Sequence, residues 1–141
     1  MGDIKAFMQP SIMEMTDKVY LDRFKDEKGN VVPFEIRGLS QEVNEGLYNQ
    51  ASRPVRKNGV VVGKELDNNM YTNLVIITSC TSPNFKDAEL CAYYKTKDPL
   101  EVPGRMLSTG EFAKLSKAIF ALSGTNLSDD DVKTLEEEAK N

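Results

Sequence analysis

The sequence has no histidine, no tryptophan and only two cysteines. Without histidine, the chain lacks the commonest general base, the usual partner of a nucleophilic serine and the commonest zinc ligand. Cys80 and Cys91 do not have the paired spacing of a zinc site, and we interpret both as small buried residues rather than as a disulfide. We therefore expect that the protein holds no metal ion and no cofactor.

Other signatures of enzymes are missing as well. No glycine-rich loop of the P-loop or dinucleotide-binding type follows a predicted strand. The run Asp129-Asp130-Asp131 lacks the glycine turn and the distal glutamate of a calcium loop. Acids in the first turn of a helix are already explained by the helix dipole. The residue inventory predicts a binding protein without catalytic residues.

Long apolar runs are also absent. No segment approaches the length of a membrane span, and the N-terminus lacks the basic and apolar regions of a secretory signal. We therefore expect a cytoplasmic protein without membrane contact. The net charge of -4 disfavours a protein built mainly to bind nucleic acid phosphates. The length of 141 residues, with 40% hydrophobic and 28% charged residues, is typical of one folded domain.

Strand signals dominate the first half of the chain. Two β-rich runs joined by a polar loop predict an antiparallel hairpin over about 18–37. Val32, Phe34 and Ile36 alternate with polar residues and should share one face. Pro33 cannot donate a hydrogen bond to a ladder, so we expect a free strand edge there.

A second hairpin is predicted over about 54–63, because Asn58-Gly59 is a strong signal for a two-residue turn. The segment of this hairpin is rich in basic residues. We interpret it as a solvated hairpin, with contact to nucleic acid as the disfavoured alternative. Its basic residues are Arg53, Arg56, Lys57 and Lys64.

Helix signals dominate the second half. Ser40, Asp67 and Asp87 are suited to capping helix starts, and the segment from Ser108 to Glu111 fits a capping box. Apolar residues then recur at spacings of three and four, as on the buried face of a helix. The predicted helices cover about 41–51, 68–80, 87–94, 109–123 and 129–139.

Residues 1–16 show no sustained period, and we interpret them as a flexible N-terminal arm with some apolar character; a disordered leader is the alternative. Residues 17–141 are predicted to form a single α+β domain. In it, N-terminal antiparallel β-hairpins pack with a predominantly α-helical C-terminal part. The free edge at Pro33 and the apolar arm both permit a homo-oligomer.

Several short strings resemble one known protein family in their order and spacing. They are similar to phage tail-assembly chaperones of the XkdN-like family, which occur in contractile-tailed phages and PBSX-type defective prophages. The resemblance covers most of the chain from about Val19 onward. The strings are Asp22-Arg23-Phe24-Lys25-Asp26, Phe34-Glu35-Ile36-Arg37, Glu65-Leu66-Asp67, Pro83-Asn84, Asp87-Ala88-Glu89-Leu90, Met106-Leu107, Gly110-Glu111-Phe112 and Glu137-Glu138-Ala139-Lys140-Asn141.

The resemblance implies a chaperone that binds the phage tape-measure protein and keeps it soluble until tail-tube subunits polymerise. It implies no catalytic residue, and it places the protein in the bacterial cytoplasm rather than in the mature virion. Adaptable apolar side chains suit such a client, and core packing is the alternative for each, favoured for Phe85 and Met106. The candidate partner-binding residues are Phe7, Met8, Ile12, Met13, Phe85, Tyr93, Tyr94 and Met106.

The resemblance also draws attention to the last codons. Genes of such chaperones often yield a longer product by a -1 ribosomal frameshift, and Ala139-Lys140-Asn141 can be encoded by a string that contains a slippery heptamer. An ordinary polar helix terminus is the alternative. Two other functions stay open: a structural component of the tail tube or baseplate, and a small prophage regulatory protein that binds DNA.

Overall fold

The computed structural model describes residues 3–124. Within this range the order of elements confirms an α+β fold, with antiparallel strands mainly in the first half and helices mainly in the second. The predicted helix at 129–139 and the segment Ala139-Lys140-Asn141 lie outside the described residues. The elements are β1 (Thr16–Val19), β2 (Phe34–Arg37), α1 (Gln41–Gln50), β3 (Ser52–Lys57), β4 (Val60–Leu66), α2 (Asn68–Ser79), β5 (Cys80–Ser82), α3 (Ala88–Tyr93), α4 (Val102–Met106) and α5 (Thr109–Leu122), with short 3₁₀ turns at Ile4–Phe7, Ile12–Glu14 and Pro99–Glu101.

The main sheet has the order β1-β2-β5, and both pairings are antiparallel. Phe34 and Ile36 on the central strand β2 are buried, as their alternation predicts. Val32 is 47% exposed, so placing it on the buried face was wrong. Pro33 precedes β2, and β2 is paired on both sides. The missing donor of Pro33 therefore falls outside both ladders and interrupts neither of them.

The second sheet is the two-stranded hairpin of β3 and β4. Its turn is at Asn58-Gly59, where both residues have positive φ (50° and 79°), as the right-handed twist of a tight hairpin requires. Nearly all its side chains are exposed, including three consecutive valines, Val60, Val61 and Val62. This hairpin therefore extends from the body of the protein and adds little to its core.

Helices α2 and α5 pack together and supply much of the core. In α2, Leu74, Val75 and Ile76 are buried; the β-branched residues tolerate the helix because their burial outweighs their weaker helix propensity. In α5 the predicted stripe is confirmed, with Phe112, Leu115 and Ile119 buried and Leu122 partly buried at its end.

The predicted helix caps are confirmed as well. Ser40, Asp67 and Asp87 each accept a hydrogen bond from a backbone N–H in the first turn of the helix that follows. Ser108 and Glu111 form the reciprocal bonds of a capping box at the start of α5. These bonds satisfy N–H groups that have no partner inside their helix.

Two elements differ from the sequence-based expectation. Cys80, which was expected in a helix, begins the short strand β5, which pairs with β2 and extends the sheet. Residues Val102–Met106, for which no helix was predicted, form helix α4. Pro103 is compatible with it because it lies in the first turn, where no backbone donor is needed.

Candidate functional site

The eight candidate partner-binding residues fall into three groups. Phe7, Met8 and Tyr93 are 79%, 71% and 76% exposed, the highest values among the exposed large apolar and aromatic side chains of residues 3–124. Ile12, Met13 and Tyr94 are partly buried. Phe85 and Met106 are buried in the core cluster. The structure therefore leaves three of the eight freely available to a partner.

The later residues of the arm are held to the domain around Gly38. Gly38 lies against Ile12, and its N–H donates to the carbonyl of Met15 at 2.9 Å. The hydroxyl of Ser40 approaches the Met13 sulfur at 3.7 Å. Residues from 12 onward are thus tied to the loop between β2 and α1, whereas Phe7 lies before this point. That residues 1–16 are flexible stays a prediction.

Tyr93 and its neighbours belong to helix α3, which is short and held firmly at both ends. Asp87 caps its start by accepting from the Leu90 N–H at 3.0 Å. The fully buried Phe85 anchors the loop before it, and the Cys91 thiol donates to the Phe85 carbonyl at 3.3 Å. Phe85 therefore supports the surface on α3 from beneath.

The end of α3 is a Schellman motif. The Lys95 N–H donates to the Ala92 carbonyl at 3.0 Å, and the Thr96 N–H donates to the Cys91 carbonyl at 3.1 Å. Arg105 of α4 braces this turn by donating to the carbonyls of Tyr94 and Lys95 at 2.9 and 3.0 Å.

Two open grooves flank α3. The first has a volume of about 480 Å³ and carries lysines at its rim over a floor of small side chains. We call it the basic groove. Its lining residues are Lys86, Ala88, Cys91, Ala92, Lys95, Thr96, Lys97 and Pro99.

The second groove, of about 420 Å³, lies on the other side of α3 and has acidic residues at its rim. Tyr93 borders it and packs edge to face on Tyr94, with ring centroids 4.9 Å apart. Burial raises the pKa of Tyr94, so its hydroxyl stays neutral at physiological pH. We call it the acidic groove, and its lining residues are Pro83, Asn84, Asp87, Glu89, Leu90 and Tyr93.

Burial raises the pKa of the Cys80 thiol to about 12, so hardly any reactive thiolate forms at neutral pH. Within residues 3–124, no three cysteine, aspartate or glutamate side chains are grouped to hold a metal ion. No helix in the same range is long and apolar enough to cross a membrane.

Comparison with known proteins identifies the family. The model of the phage XkdN-like tail assembly chaperone proteins matches residues 4–140. The chain belongs to this family. One relative is the phage-like element PBSX protein XkdN of Bacillus subtilis (strain 168). This tail assembly chaperone is 39% identical to it over 145 aligned positions, which cover 99% of this chain and 94% of the relative. It is 42% identical to protein YqbN of the same strain over 123 positions, or 84% of this chain and 78% of YqbN.

A crystal structure of YqbN has a similar fold. The two structures superpose with a TM-score of 0.65 at 28% sequence identity, covering 86% of this chain and 96% of the other. The partners of a tail assembly chaperone are phage tail proteins, so its working surface is one that meets other proteins.

The basic groove on this chaperone was not foreseen from the sequence. Its three lysines, Lys86, Lys95 and Lys97, are separated by other residue types and form no obvious charge run. They come together because α3 ends in a turn that brings the chain back beside it. The local signal for this turn is Lys95, which occupies the position where a helix often ends with glycine.

Proposed function

We propose that this tail assembly chaperone binds the tape-measure protein of its phage or prophage and keeps it soluble until the tail tube polymerises around it. The observation that carries the proposal is the exposure of Phe7, Met8 and Tyr93 on a protein whose family assists tail assembly. Exposed aromatic and methionine side chains are adaptable contacts for an apolar partner.

The physical task fits these side chains. A tape-measure protein is a long, largely helical chain whose apolar stripes are unprotected before the tube forms around it. A chaperone must cover those stripes and later release them. Contacts through a few exposed side chains bury modest area, which suits a transient complex.

The proposal includes no catalytic step and no cofactor. The chaperone acts in the cytoplasm of the bacterial host, where tails assemble, and it leaves before the virion is mature. Release follows when tube subunits compete for the same stripes on the client.

Co-expression with the tape-measure protein encoded in the same phage or prophage tests this function. We expect the chaperone to raise the soluble yield of the tape-measure protein, and a chain with Phe7→Ser, Met8→Ser and Tyr93→Ser to do so less well. Tyr20→Ser, at a tyrosine that is 51% exposed outside the arm and α3, is the matched control. An unchanged soluble yield with the wild-type chaperone would refute the proposal.

A structural tail component is the second candidate function that the same preparation tests. Such a protein would polymerise by itself and would remain in purified virions. Size-exclusion chromatography of the purified chain and mass spectrometry of intact phage particles separate the two functions.

We also propose that the gene directs a -1 frameshift at Ala139-Lys140-Asn141, which adds a further segment to a fraction of the molecules. The last nine nucleotides decide this point. An uninterrupted A-run in the correct frame is expected, and a run broken by synonymous codons would exclude slippage at this position.

A further inference from the structure

The basic groove beside α3 combines a floor of small side chains with a positively charged rim. Ala88 and Ala92 lie one helical turn apart on α3, and Pro99 also lines the groove. Small residues on a helix allow the backbone of a second helix to approach closely. The volume of about 480 Å³ is within the usual range of binding pockets.

The lysines of the rim have no acidic partner within the described part of the chain. Three neighbouring carboxylates have other partners: Asp87 caps α3, Asp98 accepts from the Leu100 N–H at 3.0 Å, and Glu101 pairs with Arg105 at 2.7 Å. Glu89 lines the acidic groove on the other side of α3. The lining of the groove thus contains three lysines and no carboxylate, so the surface that a partner would touch is positively charged.

Lys95 occupies a position where the backbone favours glycine. Its φ of 60° is left-handed, and it is the residue of the Schellman motif at which a Cβ atom is strained. The chain accepts this strain and retains a long cationic side chain at the rim of the groove. The turn thereby places an ammonium group beside those of Lys86 and Lys97 in the lining of the groove.

We propose that the basic groove binds an acidic amphipathic helix, whose apolar stripe lies on the alanine floor and whose flanking carboxylates pair with Lys86, Lys95 and Lys97. This inference rests on the proposed function, because it names the chemistry of the client segment. Nucleic acid fits less well, because the lining of the groove contains no aromatic side chain on which a base could stack.

Fluorescence anisotropy with two synthetic helical peptides tests the inference on the full chain. Each peptide is about 18 residues long, or roughly 27 Å as a helix, with leucines at spacings of three and four. One carries glutamates beside the stripe, and the other carries lysines there. We expect the acidic peptide to bind and the basic one not to bind, with about tenfold weaker affinity when salt rises from about 50 to about 500 mM.

Charge reversal locates the site. Lys86→Glu, Lys95→Glu and Lys97→Glu together should weaken binding of the acidic peptide by at least about tenfold. The matched control reverses three exposed lysines elsewhere, Lys18, Lys28 and Lys117, with the same change in net charge. Equal losses in both variants would show a general charge effect and overturn the assignment.

Lys95→Gly separates binding from folding. We expect this variant to melt at a higher temperature than the wild type, since the left-handed strain is relieved, and yet to bind the acidic peptide more weakly. Unchanged affinity would remove Lys95 from the site. A peptide of residues 125–141, which is itself acidic, is a further probe; tight binding of this peptide alone would overturn a client helix in favour of the chain's own segment.

Failure of this inference can be told from failure of the proposed function. If the triple variant at the groove still raises the soluble yield of the tape-measure protein, the basic groove is not the client site and the chaperone function stands. If the wild type binds the acidic peptide but leaves that yield unchanged, the chaperone function fails.

Discussion

Glu111 shows how one side chain connects distant parts of this chain. Its carboxylate accepts from the Ser108 N–H at 2.8 Å, closing the capping box of α5. It also accepts two hydrogen bonds from Arg23, at 2.7 and 3.1 Å, and Arg23 donates to the Met106 carbonyl at 2.6 Å. The loop after β1 is thereby fastened to the junction of α4 and α5. The bonds from Arg23 are the main cause of a lowered pKa at Glu111.

Glu111→Gln tests this connection through pH. Glutamine can still close the capping box, but it loses the ion pair, so we expect a loss of at most about 1 kcal/mol near neutral pH. The pKa of Glu111 is lower in the folded state, so its contribution is complete above the unfolded pKa. That contribution disappears as pH falls through the folded value.

Urea unfolding of both chains between about pH 7 and pH 3 measures this difference. The free energies of unfolding should converge toward the acidic end. A constant difference across that range would show that the carboxylate charge contributes nothing and that only shape matters at this position.

At the scale of elements, two glycines differ in the space around them. A Cβ atom at Gly38 would lie 2.6 Å from the carbonyl oxygen of Ile12, so the arm and the β2–α1 loop can meet only at a glycine. Gly46, in the middle of α1, has nothing within 4 Å of the same position. The two glycines thus have opposite roles: one permits a contact, and the other only weakens a helix.

Alanine substitutions at the two glycines should therefore change stability in opposite directions. Gly38→Ala should lower the free energy of unfolding by about 1–3 kcal/mol through steric conflict with the arm. Gly46→Ala should raise it by about 0.5–1 kcal/mol, because glycine costs about this much inside a helix. Urea unfolding measures both, and a neutral Gly38→Ala would mean that the arm moves away without cost.

Local signals in the sequence account for most elements but not for the contacts among them. The caps at Ser40, Asp67 and Asp87 could be predicted because each acts on backbone groups a few residues away. Strand β5 could not be predicted, because three residues are too few to show a hydrophobic period. Its pairing with β2 also joins distant parts of the chain.

The candidate site shows the same division. Both Tyr93 and Phe85 were candidates because of their apolar character. Tyr93 is exposed and Phe85 is buried, and this difference depends on the whole fold rather than on residue type. The basic groove depends on the turn at Lys95. This turn is hard to predict, because lysine occupies the position where glycine would signal the end of a helix.

At the scale of the whole molecule, stability is distributed unevenly. The sheet of β1, β2 and β5 packs with α2 and α5, whereas the β3–β4 hairpin is exposed along nearly its whole length. A two-stranded hairpin without a packed face is marginally stable by itself. It should therefore open and close while the core remains folded.

Native-state hydrogen exchange tests this distribution. We expect amides paired within β3 and β4 to exchange through local opening with a free energy of about 1–2 kcal/mol, far below that of global unfolding. Amides of the central strand β2 should exchange with solvent only when the whole core unfolds. Equal protection in both sheets would show that the hairpin is coupled to global unfolding.

The base of the hairpin has a further consequence. A single hydrogen bond, from the Asp67 N–H to the Ala51 carbonyl at 2.9 Å, joins the end of α1 to the start of α2. Ala51 and Asp67 thus meet directly, although residues 52–66 lie between them in the sequence. Over evolutionary time, this is a place where the chain can be shortened, lengthened or exchanged for foreign sequence while the folding unit is inherited intact.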